Sequence, residues 1–269
     1  MKSLLSFDAY TLKWIAVIGM ITNHVAYGFA SLLPLPLLLF LYALGGLTYV
    51  IMAFFVVEGY KHTSSLPKYF RRLFIFGLIA QAFHPMVFGT TETAGIGLPL
   101  NIMFTIMLSL LVLMMYDKIK IRFLFWLLFL VACGVALFMD LVFVGVLVPV
   151  MYYAIKKESR RRTLPGIVSG IIWGVLGLLA GLSSIIYLAG GDIDITYLVD
   201  KGMTPELMAV TPIFAVGCFL GAILIRNYNG SRGKSAKWLF YVMYPLHLAV
   251  IAIIAVAAGI TPFSLFGFF

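Results

Sequence analysis

Charge is scarce in this chain: Asp, Glu, Lys and Arg make up 11% of 269 residues, against 63% hydrophobic, at a mean hydropathy of +1.08. A soluble domain is about a quarter charged and about half apolar, so water-soluble enzyme folds, nucleic-acid readers and disordered chains are excluded. The composition is that of an integral membrane protein. Acid is the scarcer sign, 10 Asp+Glu against 19 Lys+Arg. In a soluble protein that excess would suggest a nucleic-acid partner; here it reads as topology, because basic residues collect on cytoplasmic loops. Cysteine is nearly absent. Cys133 and Cys218 both fall inside apolar runs, where a thiol behaves as a small hydrophobe, so no disulfide framework is implied. Long polar stretches are missing too: the longest runs from Gly190 to Glu206, and residues 1–269 read as one transmembrane domain. There is no Walker or G-x-G-x-x-G pattern and no H-E-x-x-H zinc motif. Internal repeats and the paired broken helices of inverted-repeat transporters are also lacking. The start, Met1 to Asp8, has no sharp apolar region before a small-residue cleavage site and is expected to be retained.

What is present is hydrocarbon-spanning sequence. A crossing helix needs about 20 mainly apolar residues. Segments meeting that length lie near 10–30, 37–60, 69–88, 98–116, 166–190, 206–226 and 237–259. The stretch 123–155 is long for one crossing and short for two, but it is flanked by Lys118, Lys120 and Arg122 on one side and Lys156 to Arg162 on the other. Both clusters belong in the cytoplasm, so it is expected to go in and come back with Asp140 at its apex. The prediction is an all-α polytopic membrane protein of about nine transmembrane helices, N-terminus cytoplasmic and C-terminus extracytoplasmic, multi-pass in a bacterial inner or plasma membrane. This arrangement leaves only Lys201, of all Lys and Arg, outside. The outer side receives Glu92, Asp140, Asp192, Asp194, Asp200 and Glu206, and the inner side Asp8, Glu58, Asp117 and Glu158. Gly166, Gly170, Gly174, Gly177 and Gly181 recur at near-fourfold spacing, a pattern for close helix packing.

Ionisable groups at membrane depth are costly and mark candidate sites. His24 lies 11 residues beyond Lys13, His84 12 beyond Arg72 and His247 10 beyond Lys237; at ~1.5 Å per residue all three reach about 15 to 18 Å. A single histidine there is as readily a hydrogen-bonding group between helices, but three at one depth favour a site. His24, following Asn23, is the candidate general base, since histidine titrates near neutral pH. His247 sits below Pro245, which leaves the Tyr241 carbonyl without its usual partner, with Tyr244 on the same face. No metal is predicted. Toward the outer side, Asn101, with Thr105 one turn on, opens a helix; Asn101 either polarises an acceptor or caps its helix. At the inner side Glu58, Lys61 and His62 end one helix, and Lys68, Arg71 and Arg72 open the next. Such clusters touch lipid headgroups and equally suit a ligand carrying several phosphates.

The motifs Phe7 to Lys13, Glu58-Gly59-Tyr60-Lys61-His62-Thr63, Tyr69 to Leu73, Leu100 to Thr105 and Tyr244-Pro245-Leu246-His247-Leu248 together resemble the TraX family. These are integral membrane proteins associated with N-terminal acetylation of pilin. The family usually shows Asp-His where this chain has Asn23-His24, so the resemblance leaves His24 without a carboxylate to orient it. It also shows Gly-Arg where this chain has Gly45-Gly46. Lys13 and His24, with ten residues between them, are similar to the Arg-x10-His pattern of the acyltransferase-3 membrane enzymes. The resemblance implies an acetyl-CoA-dependent N- or O-acetyltransferase. The acetyl group would move from the cytoplasmic thioester to a pilin-like peptide amine, or to the hydroxyl of a surface glycan or lipid. His24, Asn101, Asp140 and His247 would be catalytic; Glu58, Lys61, His62, Lys68, Arg71 and Arg72 would hold the CoA; Asn23, His84, Thr105, Tyr241 and Tyr244 would meet the substrate. The alternatives are a transporter or channel for a small polar solute or proton, with the histidine layer as a relay, and a non-catalytic membrane assembly factor.

Overall fold

The computed structural model describes residues 6–88, 100–189, 205–235 and 237–260. Apart from two isolated bridges, regular structure among them is helical: α1 (Ala9–Gly28), α2 (Leu35–His62), α3 (Leu66–Gln81), α4 (His84–Phe88), α5 (Ile102–Lys118), α6 (Arg122–Ala136), α7 (Val144–Ala154), α8 (Glu158–Ala189), α9 (Pro205–Arg226) and α10 (Lys237–Ala257). The expected N-terminal residues 1–5 and the outer-loop residues Glu92, Asp192, Asp194, Asp200 and Lys201 lie outside the described residues.

Local chemistry explains most boundaries. Asp8 caps α1 by accepting from the Thr11 amide at 2.7 Å, and that amide holds the Asp8 carboxyl below its ordinary value. Ser65 caps α3, with proline in its first turn. The expected crossing at 69–88 breaks after Gln81, because Pro85 has no amide for the Gln81 carbonyl and its ring crowds that position. The short α4 that follows carries His84 in a new direction. α8 begins at Glu158 rather than near 166, since the Glu158 carboxylate pairs with Arg161 and Arg162 one turn on and favours the helix N-terminus.

α2 is the central helix: fifteen of its residues are buried, and it packs against α1, α5, α7, α8 and α9. Its crossing with α9 depends on glycine. A Cβ on Gly46 would overlap the Phe214 carbonyl and one on Gly217 the Ala43 carbonyl. The glycines of α8 serve the same end: a Cβ at Gly166, Gly170 or Gly177 would come within 2.8 Å of Ala222, Phe219 or Pro212, all on α9.

Among the described residues, three segments, Leu35–His62, Glu158–Leu179 and Phe240–Ala257, are long and apolar enough to cross a membrane, and Arg122–Ala136, Val144–Ala154 and Pro212–Arg226 are shorter apolar helices. Large side chains such as Phe40, Leu130, Leu178 and Ile253 are 60–70% exposed. A soluble monomer does not present an apolar surface on that scale, so the chain is an all-helical membrane protein.

The two ends of the bundle differ in chemistry. At one, Phe7 exchanges backbone hydrogen bonds with Asn227 and Asn229, and the ends of α2, α5, α7 and α8 are tied by polar side chains. At the other, Leu100 pairs with the 138–140 backbone, pinning the expected 123–155 hairpin, seen as α6 and α7, to the start of α5. Leu141 and Val142 take φ of 64° and 42°, values unfavourable for branched side chains, and complete the turn after Asp140.

Candidate functional site

α1 and α10 bring two of the three mid-depth histidines into direct contact. His24 Nδ1 and His247 Nε2 are 2.5 Å apart, with the rings stacked at 4.7 Å. On its other side His247 Nδ1 lies 2.6 Å from the Met243 carbonyl. A carbonyl only accepts, so Nδ1 of His247 carries the proton and its Nε2 is a lone pair. His24 Nδ1 must then donate, which leaves His24 Nε2 unprotonated. The hydrogen bonds thus assign both tautomers without a carboxylate. His247 occupies the orienting role that Asn23 cannot fill: Asn23 faces α2, packed on Gly45 and donating to the Leu41 carbonyl at 3.4 Å.

The third histidine is one ring away. Phe88 stacks on His84 at 4.5 Å and presents its edge to His24 at 5.0 Å. His84 Nε2 meets Asp140 Oδ2 at 3.3 Å, with His84 buried and Asp140 29% exposed. Tyr27, one turn beyond His24, packs on Phe88 at 4.9 Å, and Tyr244 packs on His24 at 6.2 Å. Among the described residues, no group of three or more His, Cys, Asp and Glu converges as a metal-ligand set.

Asn101 and Thr105 do structural work. Asn101 Oδ1 accepts from the Met103 amide at 3.0 Å, while Nδ2 donates to the Gly77 carbonyl and to Gln81 Oε1, each at 2.8 Å. With both amide hydrogens committed, Asn101 caps α5 and ties it to α3, the capping alternative that its position in the sequence offers. Thr105 donates to the Asp140 carbonyl at 2.9 Å and so places the hairpin apex.

At the basic end the four acids are all occupied. Asp8 caps α1. Asp117 accepts from Tyr60 and Tyr153. Glu58 pairs with Arg161 at 2.8 Å. Glu158 takes Arg161 and Arg162, and Arg162 also donates to the Tyr228 carbonyl. Among the described residues, Lys13, Lys61, Lys68, Arg71 and Arg72 therefore have no carboxylate partner. Lys61, His62, Lys68 and Arg71 are exposed. Lys13 lies over the rings of Phe55 and Phe240 at 4.8 and 5.7 Å. Arg72 stacks on Tyr69 and Tyr241 at 5.8 and 5.4 Å, so Tyr241 belongs to this basic end, about 9 Å along α10 from His247. Glu58 serves Arg161 and, at 3.8 Å, His62 rather than standing free for a ligand.

The TraX protein family matches residues 8–255. The chain belongs to the TraX family. It is also 29% identical over 266 residues to the probable fimbrial assembly protein FimC, serogroup H1, of Dichelobacter nodosus, covering 92% of this chain and 95% of that protein. No solved structure matches it.

Three residues of this TraX chain escape sequence reasoning. Tyr27 carries a weak signal, three residues past His24 and hence on the same helix face. Phe88 carries none. Arg161 hides in a basic run that reads as topology, yet it is the buried member, stacked on Phe54 at 5.1 Å and shared by two glutamates. Removing one partner of a buried pair strands the other. Arg161→Ala should therefore cost about 3 kcal/mol, read as a lowered melting temperature in detergent, whereas Arg160→Ala, exposed on the same helix, should be neutral.

Proposed function

We propose that this TraX chain is a membrane-embedded acyltransferase moving an acetyl group from cytoplasmic acetyl-CoA to an amine or hydroxyl acceptor, a pilin-like peptide amine being the acceptor the family suggests. The observation that carries the reading is the hydrogen-bonded series Met243 carbonyl, His247, His24, which holds the His24 Nε2 lone pair free at mid-depth. His24 Nε2 takes the proton of the acceptor. The acceptor nitrogen or oxygen attacks the thioester carbonyl, and the tetrahedral oxyanion collapses with departure of the CoA thiolate. With Asn101 committed to α3, the hydroxyls of Tyr27 and Tyr244 are the donors for that oxyanion. His84, held by Asp140, is the second acid-base group of the site. The CoA phosphates rest on Lys61, Lys68 and Arg71, cations without carboxylate partners. The reading takes nine crossings of a bacterial inner membrane, with the basic end and the N-terminus cytoplasmic and the C-terminus outside.

The test is binding followed by turnover. Excess acetyl-CoA should raise the melting temperature of the purified protein, since a ligand of the folded state at a hundredfold its Kd adds about 2.7 kcal/mol. The doubly substituted Lys68→Gln, Arg71→Gln protein should lose most of that shift. Transfer of label from acetyl-CoA to a peptide amine would complete the case; no shift with folded protein overturns it. The name of the relative from Dichelobacter nodosus favours a second reading, a non-catalytic assembly factor for a pilus-like apparatus, which requires neither a shift nor turnover. A transporter would instead give solute flux in proteoliposomes without acyl-CoA.

A further inference from the structure

On the outer surface of the bundle, between α3 and α10, lies a groove of about 310 Å³ lined by Phe76, Ile79, Phe83, Val242, Pro245, Leu246 and Ala249. No polar side chain enters it. Ile79, Val242 and Leu246 are 41–49% exposed, so the groove opens sideways rather than toward water. Its inner end is a collar of rings and charge. Phe76 stacks on Tyr241 at 5.7 Å and leans on Trp238 at 6.4 Å. Tyr241 in turn carries the guanidinium of Arg72, one turn before Phe76. Arg72 has no carboxylate partner, and its buried Nε finds no acceptor among the described residues. Trp238 is 60% exposed.

We propose that this groove is a binding site for an anionic phospholipid of the cytoplasmic leaflet, one acyl chain lying along α3 and α10 and the phosphate meeting Arg72 and the Trp238 indole N–H. The groove extends about 10 Å from Phe76 to Phe83 at helical rise, enough for the upper part of a chain. A pantetheine arm does not suit it, because its amides would find no hydrogen-bond partner there. Lipid tails are as apolar as the lining, so the chain contributes fit and the headgroup contributes selectivity. Arginine binds phosphate through a planar fork, and tryptophan is at home at the headgroup level. The site does not depend on acyl transfer.

Native mass spectrometry of delipidated protein in detergent tests this, with dioleoyl phosphatidylglycerol and dioleoyl phosphatidylcholine added separately. Phosphatidylglycerol should be retained in preference to phosphatidylcholine. Arg72→Gln should weaken that retention about fivefold, the worth of one basic residue at an anionic surface. Ala249→Phe, which fills the groove, should abolish it. Val250→Phe, which puts the same ring on an exposed neighbour outside the groove, should bind as the unaltered protein does and shows that the helix tolerates the ring. Equal retention of the two lipids, full binding by Ala249→Phe, or displacement of the lipid by palmitoyl-CoA but not by CoA would overturn the proposal.

Discussion

Replacing His24 with alanine should lower acetyl transfer by roughly 10² to 10⁴, the range a positioned general base supplies, while the acetyl-CoA-induced rise in melting temperature persists. The separation follows from geometry. His24 lies within the bundle against His247 and Phe88, whereas the cations assigned to the phosphates sit at the basic end of the bundle. His247→Ala should cost less, about 10- to 100-fold, because it removes only the acceptor that keeps the His24 proton on Nδ1. Without it the proton can settle on Nε2, and the base is lost in the wrong tautomer rather than by deletion. Asn23→Asp, which restores the family's usual dyad, should not raise the rate, since Asn23 points at Gly45 and Leu41. Full turnover by His24→Ala would remove His24 from the chemistry.

The second large effect is on the fold itself. Gly217→Leu should prevent accumulation of monodisperse protein, and Gly217→Ala and Gly46→Ala should each cost up to about 3 kcal/mol through overpacking. At both positions a Cβ meets a backbone carbonyl of the facing helix, which cannot swing aside as a flexible side chain can. The same contact leaves no room at Gly46 for a longer side chain, because α9 occupies that space. Gly134 is the opposite case. It lies in α6 with nothing within 4 Å of its would-be Cβ, so Gly134→Ala should stabilise by about 0.5–1 kcal/mol through helix propensity. Melting temperatures in one detergent would rank the variants, and a Gly217→Ala protein as stable as the parent would contradict the α2–α9 crossing.

Much of the bundle is legible along the chain. α1, α2, α5, α9 and α10 fall within a few residues of the apolar runs, and the 123–155 hairpin turns at Asp140, because apolar length and flanking charge act on each segment separately against the bilayer. Pro85 and the Glu158 pairs shifted two boundaries for local reasons that the residues also carry. That the three histidines share one level of the bundle is legible too, since helical rise is constant and the structure brings them within one ring of each other.

Sequence alone thus determined the helical membrane character, the basic end and the set of polar residues within the apolar helices. Only the tertiary structure decided which of them meet. That His24 pairs with His247, 223 residues away, that His84 turns to Asp140 behind Phe88, and that Asn101 gives both amide hydrogens to α3 depend on how each helix is rotated about its axis. That rotation is set by close packing, above all where Gly46 and Gly217 let α2 and α9 touch backbone to backbone, and no periodicity within a single segment encodes it.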